Sequence, residues 1–486
     1  MPQTRPGTGH LPSNQTTCTT GRIQVGGLTS ALQAEITAEV ARLAAEAARS
    51  LGAGAGLEPA GMAIRTAMLK LGGRLLENLP GIDAGHRGPR TGCGNGHDAE
   101  FISYRAKTID TVAGPVELHR AWYHCAACGH GLAPKDGELG VAAASLSPGL
   151  AKMNARAASA IPFAPARRLL AELAGIELTV KRVERSAEAD GAAAAAILAA
   201  RAGAVRSRRM AVLAPAGGPD MLYIAVDGTG VPVVACEAEG RKGKAEDGKA
   251  RTREIKLGCL FTQTTTDDDG YPVRDPGSST YLATFEPAGR FGQLVDAEAR
   301  RRGCEHIRQI VVLGDGAAWI WNLADQLFPE ATQIAGLYHA REHLHDLATL
   351  AARLLAGHRD DWLAARLEEL DAGEVQAILA AGRDLDFLGS LAAERDKALA
   401  YFEHNAHRMR YQHHRDLGMF VGSGVVEAGC KSIIGQRLKL SGMRWTISGA
   451  TSIATLRCHD ASGSWDQIWQ RPRSQTIPAE LVTHAS

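Results

Sequence analysis

At 486 residues the chain is long enough for about three domains and a sizeable core. Charged residues make up 22% and the formal net charge is +1, so global charge marks no nucleic-acid binder, and such a role has to rest on local patches. The nine cysteines are an odd, scattered set, which argues against a disulfide framework and suits a reducing cytosol.

Residues 1–30 are rich in Pro, Gly, Thr and Ser, lack the apolar segment of a signal peptide, and read as disordered. Residues 31–85 read as helical. Ala, Leu and Glu recur at turn spacing from Leu32 to Leu79, with a breaker at LGAGAGLEP (51–59). No run of about 18 apolar residues occurs, so no membrane span is expected.

Residues 86–140 change character, with Gly, Cys, His and short β-like runs. CGNGH supplies Cys93 and His97, and CAAC supplies Cys125 and Cys128. A Cys-x₃-His pair and a Cys-x₂-Cys pair, 27 residues apart, suit a tetrahedral Zn²⁺ site in a ribbon too short to bury its own core. His124 or His130 can stand in for His97, and unliganded cysteines are the plainer alternative. Residues 141–210 return to helix. Within them, 164–190 have helix-turn-helix texture, a Gly-containing break followed by a helix capped by Thr179. Lys181, Arg182 and Arg185 then sit where a recognition helix meets DNA, although an ordinary helical hairpin fits the same pattern.

From Met221 the texture is α/β. MLYIAVDG, REIKLGCLFTQ and STYLATFE follow one another as an antiparallel meander. RQIVVLGDG and TQIAGLYH are each followed by a helical segment. Three strands, then strand–helix–strand–helix, is the order of a ribonuclease-H-like sheet, and it assigns 211–345 to the first part of such a core. Residues 346–414 read as an all-helical insertion, 415–465 as the second part of the core with a helix from Gly424 to Leu440, and 466–486 as a tail. The expected fold class is therefore multi-domain α/β. It has a ribonuclease-H-like core split by a helical insertion, behind helical, zinc-ribbon-like and helix-turn-helix regions.

Three acids occupy telling positions in that order. Asp227 ends the first strand, Asp315 ends the fourth between two glycines, and Glu427 opens the late helix. Ligands of α/β sheets gather beyond the carboxyl ends of strands. Converging carboxylates repel one another unless cations sit among them, and Mg²⁺ prefers oxygen ligands. Two such ions about 4 Å apart suit phosphoryl transfer. Each acid alone also fits a turn residue or a helix N-terminus. Local charge supports the joint reading. Residues 241–256 hold seven Lys or Arg against three acids, and 405–445 hold seven against two. Arg241, Lys242, Lys244, Lys431, Arg437, Lys439 and Arg444 are candidate phosphate contacts, and Trp445 a candidate base-stacking residue, with a core position equally open to it.

These motifs resemble one family. VDGTGVPV (226–233), RKGK followed by TREIKLGCLFTQ (241–263), DPGSSTY (275–281), VVLGDGAAWIWNLADQLFP (311–329), LYHAREHL (337–344) and FVGSGVVEAGCKSIIGQRLKLSGMRW (420–445) look like those of bacterial DDE insertion-sequence transposases. The likeness is to the ISKra-type group, related to Mutator-like enzymes, and spans roughly residues 85–470. It implies Asp227, Asp315 and Glu427 as a catalytic triad holding two Mg²⁺ or Mn²⁺, with His339 and His343 accessory. It also implies strand cleavage and transfer at terminal inverted repeats, a homodimer or larger synaptic complex, no membrane, and a bacterial cytoplasmic, nucleoid-associated setting. The family pattern has an acid two residues before Tyr338, where this chain carries Gly336. A catalytically inactive, transposase-derived DNA-binding protein is accordingly the alternative.

Three other readings fit less well. HAREH (339–343) matches the zinc-peptidase pattern H-x-x-E-H, but with only three fixed residues. A haloacid-dehalogenase phosphatase needs a second Asp two residues after Asp227, where Thr229 stands. A dinucleotide fold needs more than the single GDG.

Overall fold

The computed structural model describes residues 30–52, 57–78, 83–142, 144–207, 219–238 and 252–470. Arg241, Lys242, Lys244, residues 1–29 and residues 471–486 lie outside the described residues. The chain divides into two units, Met1–Ala84 and Gly85–Ser486. The first is a pair of helices, α1 (Ser30–Gly52) and α2 (Leu57–Asn78), with Leu43, Ala60, Ala67 and Leu71 buried.

The second unit is mixed α/β. It begins with a four-stranded antiparallel sheet in the order β1 (Arg90–Gly92), β2 (Asp98–Thr111), β3 (Gly114–Cys125) and β4 (His130–Leu132). The Thr111 hydroxyl accepts the Ala113 amide and closes the two-residue turn between the long strands β2 and β3. A short helix, α3 (Pro134–Glu138), lies on one face. Its buried Asp136 takes both Arg120 (2.7 Å) and Lys107 (3.2 Å).

Three helices follow, α4 (Pro148–Ala160), α5 (Phe163–Ala174) and α6 (Val180–Arg206). Gly175 ends α5 in the left-handed region, and the Thr179 hydroxyl caps α6 by accepting the Arg182 amide.

The central sheet has five strands, β5 (Met221–Pro232), β6 (Thr252–Gln263), β9 (Thr280–Thr284), β10 (Gln309–Gly314) and β11 (Thr332–Ala335). A two-stranded flap, β7 (Thr265–Thr266) with β8 (Pro272–Val273), interrupts the meander. The spatial order is β11-β10-β5-β6-β9. β5, β6 and β9 run antiparallel, and β10 and β11 lie parallel to β5. The run from Met221 to Val226 is buried on both faces, so the strand reads as continuous apolar sequence rather than as an alternation. Helix α7 (Ala288–Arg301), which the sequence reading does not anticipate, joins β9 to β10, and α8 (Ala318–Leu327) joins β10 to β11.

After β11 the described chain contains no further strand. α9 (Leu337–Leu350), α10 (Arg359–Ala372), α11 (Val375–Arg383), α12 (Ser390–Asn405) and α13 (Tyr411–Asp416) pack beside the sheet. α14 (Gly424–Gly429) runs through a π-helical turn (Cys430–Gly435) into α15 (Gln436–Leu438), and α16 (Ile447–Ala461) packs on α6 and β9. One continuous core joins the central sheet to α4–α6, to the helices after β11 and to α16. Among the described residues, no helix is long and apolar enough to cross a membrane.

Candidate functional site

β5 and β10 are neighbours in parallel register, with Ala225 opposite Leu313. Asp315 stands just past the end of β10, whereas Asp227 lies within β5 rather than at its end as the sequence suggests; carrying the register two residues further brings the two acids side by side where β10 leaves the sheet. The third acid arrives by another route. Glu427 lies in the first turn of α14, where its Oε1 accepts the buried Ser423 hydroxyl at 2.5 Å. One helical turn on, at the start of the π-helical turn, the Cys430 thiol lies beside the Asp227 carboxylate.

Burial raises the Asp227 pKa, and Asp315 adds to the rise. The Cys430 thiol, the Gly228 amide at 2.6 Å and, at longer range, His339 oppose it. Asp315 Oδ1 accepts the Ala317 amide at 2.8 Å, and its Oδ2 lies 4.0 Å from His339 Nε2. The His339 pKa is raised. Burial pulls it down, but the Glu342 carboxylate (2.8 Å) together with the Asp315 and Glu427 charges outweighs that. The three carboxylates thus act within one electrostatic neighbourhood, which His339 shares. They are not drawn into a closed set. Among the described residues, the one group of His, Cys, Asp and Glu with ligand atoms all within 4.8 Å of one another is Cys93, His97, Cys125 and Cys128.

That group can bind a metal such as zinc. Cys93 and Cys128 Sγ are 3.8 Å apart, close to the tetrahedral edge of about 3.8 Å that Zn–S bonds of 2.3 Å require. His97 Nδ1 is 3.2 Å from Cys128 Sγ. The loop is built for this: Cys93 N donates to His97 O, and Gly129 N donates to Cys125 O, folding both halves into tight knuckles. The backbone of Asn95, helped by that of His97, lowers the Cys93 thiol to about 6, toward the thiolate that a metal needs. His97 completes the set, and His124 and His130 lie outside it.

Two of the expected DNA contacts are corrected. Arg437 is fully buried, its guanidinium 4.7 Å from the Phe163 ring and 5.0 Å from the Trp445 ring, with Nε donating to Ala158 O at 3.0 Å. Trp445 is 6% exposed and spends its indole N–H on Leu438 O. Both pin the segment after Glu427 to α4 and α5, and neither meets solvent; basic and aromatic residue types beside a catalytic motif do not report their own burial. Lys431, Lys439 and Arg444 are exposed, and Lys439 Nζ donates to Thr229 Oγ1 next to Asp227. On α6, Lys181 is paired with Glu184, Arg182 is bonded to Asp110 and Ser145, and Arg185 is exposed. Arg182 therefore ties α6 to β2.

At Gly336 a Cβ would overlap Ser423 Oγ, the group that holds Glu427. An acid there requires a different arrangement of Ser423. His343, the second histidine of HAREH, stacks on Tyr401 with ring centroids 3.7 Å apart, and the two histidines belong to no closed metal set among the described residues. The roles of Cys430 and Tyr401 carry no sequence signal, because each depends on a contact across the fold, whereas Ser423 stands only four residues before Glu427 at the start of the same helix. No protein-family model matches the chain, and no curated protein matches it.

Proposed function

We propose that the chain is a DDE transposase of a bacterial insertion sequence, of the ISKra-type group, cutting and joining DNA at element ends. The observation that carries this reading is the parallel register of β5 and β10, which brings Asp227 beside Asp315 at the exit of β10, with Cys430, just after the Glu427 helix, next to Asp227. The strand order β9-β6-β5-β10-β11, with the first three antiparallel, supports a ribonuclease-H-like core. The helical stretch before Glu427 then corresponds to an insertion.

The donor set fits Mg²⁺ or Mn²⁺. Three hard-oxygen carboxylates share one field, and the burial of Asp227 and its repulsion by Asp315 are what a divalent cation relieves. Asp227, Asp315 and Glu427 would hold it, and when bound it supplies activation of the attacking oxygen and charge stabilisation at the phosphoryl centre. The chain's own residues do the rest. Lys439, held at Thr229 beside Asp227, together with exposed Lys431 and Arg444, grips the phosphodiester backbone. His339 balances charge at Asp315. A second reading, an inactive DNA-binding descendant, draws on Gly336 and on the open spacing of the acids.

The test incubates purified protein and Mg²⁺ with a duplex bearing the inverted repeats that flank the reading frame. Strand cleavage by the wild type, lost in Asp315→Asn, is the expected result. Binding without cleavage would favour the inactive descendant.

A further inference from the structure

Tyr401 belongs to α12, far in sequence from β10, yet it holds the loop that carries Asp315. Its hydroxyl donates to the Asp315 carbonyl at 3.1 Å. Its ring lies over Gly316, where φ is +105° and a Cβ would stand 2.5 Å from the ring edge. The same ring stacks on His343, one turn along α9 from His339, which faces Asp315. One aromatic side chain thus touches the loop peptide, the glycine beside it and the helix that presents His339. The neighbouring contacts Tyr411 Oη to Ala335 O and Arg408 Nε to Gln333 Oε1, both 2.8 Å, fasten the following segment to β11.

We infer that Tyr401 is a positioning residue, through which the helices after β11 lock the Asp315 peptide and aim its carboxylate at Asp227. The metal part of this inference rests on the function proposed above; the loop-locking part does not. With the carbonyl tied back and the ring filling the space over Gly316, the Asp315 side chain keeps one orientation, in which Oδ1 receives the Ala317 amide. Without the clamp, the loop between β10 and α8 has a left-handed glycine and freedom to turn.

Two measurements on the full chain test it. The first is hydrogen exchange of peptides covering 311–321 in wild type and Tyr401→Phe, a substitution that removes only the hydroxyl. Exchange at the Asp315–Ala317 amides should quicken about tenfold in the variant, with melting temperature checked alongside. The second is Mn²⁺ binding by calorimetry, with Asp315→Asn as the blank; the variant should bind about tenfold more weakly, as loss of a ligand's support does elsewhere. A residue with only a packing role would lower the melting temperature and leave Mn²⁺ affinity alone.

Unchanged exchange in both Tyr401→Phe and Tyr401→Ala would overturn the inference. Faster exchange with wild-type Mn²⁺ affinity would overturn the positioning role. Faster exchange in a protein whose wild type also binds no Mn²⁺ would uphold the clamp and sink the metal reading instead.

Discussion

The Cys/His ribbon and the carboxylate cleft are both candidate metal centres, and they are built in opposite ways. In the ribbon, all four ligand atoms already lie within 4.8 Å of one another, inside knuckles closed by backbone hydrogen bonds. In the cleft, three acids share a field without closing, and each leans on its own neighbour: Asp227 on Cys430, Asp315 on Ala317, Glu427 on Ser423. The difference follows from charge. In the ribbon a lowered Cys93 thiol is offset by a raised Cys128 thiol, so the sulfurs gather with little repulsion, whereas three carboxylates repel one another, so a carboxylate site stays open until cations enter. A structural site is expected to be closed, and a catalytic one to keep room for substrate.

Substitutions can break or sharpen this contrast. The largest effect is expected at the cleft: Asp315→Asn should lower strand cleavage about a thousandfold or more, while gel-shift affinity for the same duplex stays within about twofold. Equal losses of cleavage and binding would merge the two functions that the contrast separates. At the ribbon, Cys125→Ser should take zinc content from about one per chain to near zero and leave residues 86–140 sensitive to protease; an unchanged zinc signal would mean that the ribbon holds no metal.

Next in size is Trp445→Ala. Its burial predicts a stability loss of about 3–5 kcal/mol in urea unfolding. Lys431→Ala, an exposed change, should instead flatten the salt dependence of DNA binding by about one unit of slope. If Trp445→Ala behaved like Lys431→Ala, the buried placement would be contradicted.

The smallest effect concerns pH. His414 is 2% exposed with neither ring nitrogen partnered, and burial, then Arg410, takes its pKa from 6.5 to about 4. The folded value lies below the unfolded one, so the unfolded chain takes up the proton first. The resulting stability is full above about pH 6.5 and is lost as pH falls toward 4, by up to about 3 kcal/mol. In His414→Leu, the drop in urea midpoint between about pH 7.5 and about pH 5 should shrink accordingly.

Much of the sheet was legible because its signal is local. Apolar runs bounded by Gly and Asp marked β5, β6, β9, β10 and β11, and the glycines around Asp315 marked a sharp exit. Thr179 and Gly175 likewise marked the α5–α6 junction. What escaped was decided by distant partners. Helix α7 was hidden by its polar, Arg-rich sequence, since Phe291 and Val295 are its only large apolar residues that are buried. Arg437 read as a phosphate contact because nothing local foretells a guanidinium between Phe163 and Trp445. The π-helical turn after Glu427, which brings Cys430 to Asp227, has no sequence mark at all.

The most direct measurement is anomalous scattering from crystals soaked in Mn²⁺. The expected result is a pair of peaks about 4 Å apart among Asp227, Asp315 and Glu427, with both absent in Asp315→Asn. Peaks confined to the surface or to the ribbon cysteines, with none at the three acids in the wild type, would contradict a metal-dependent carboxylate site.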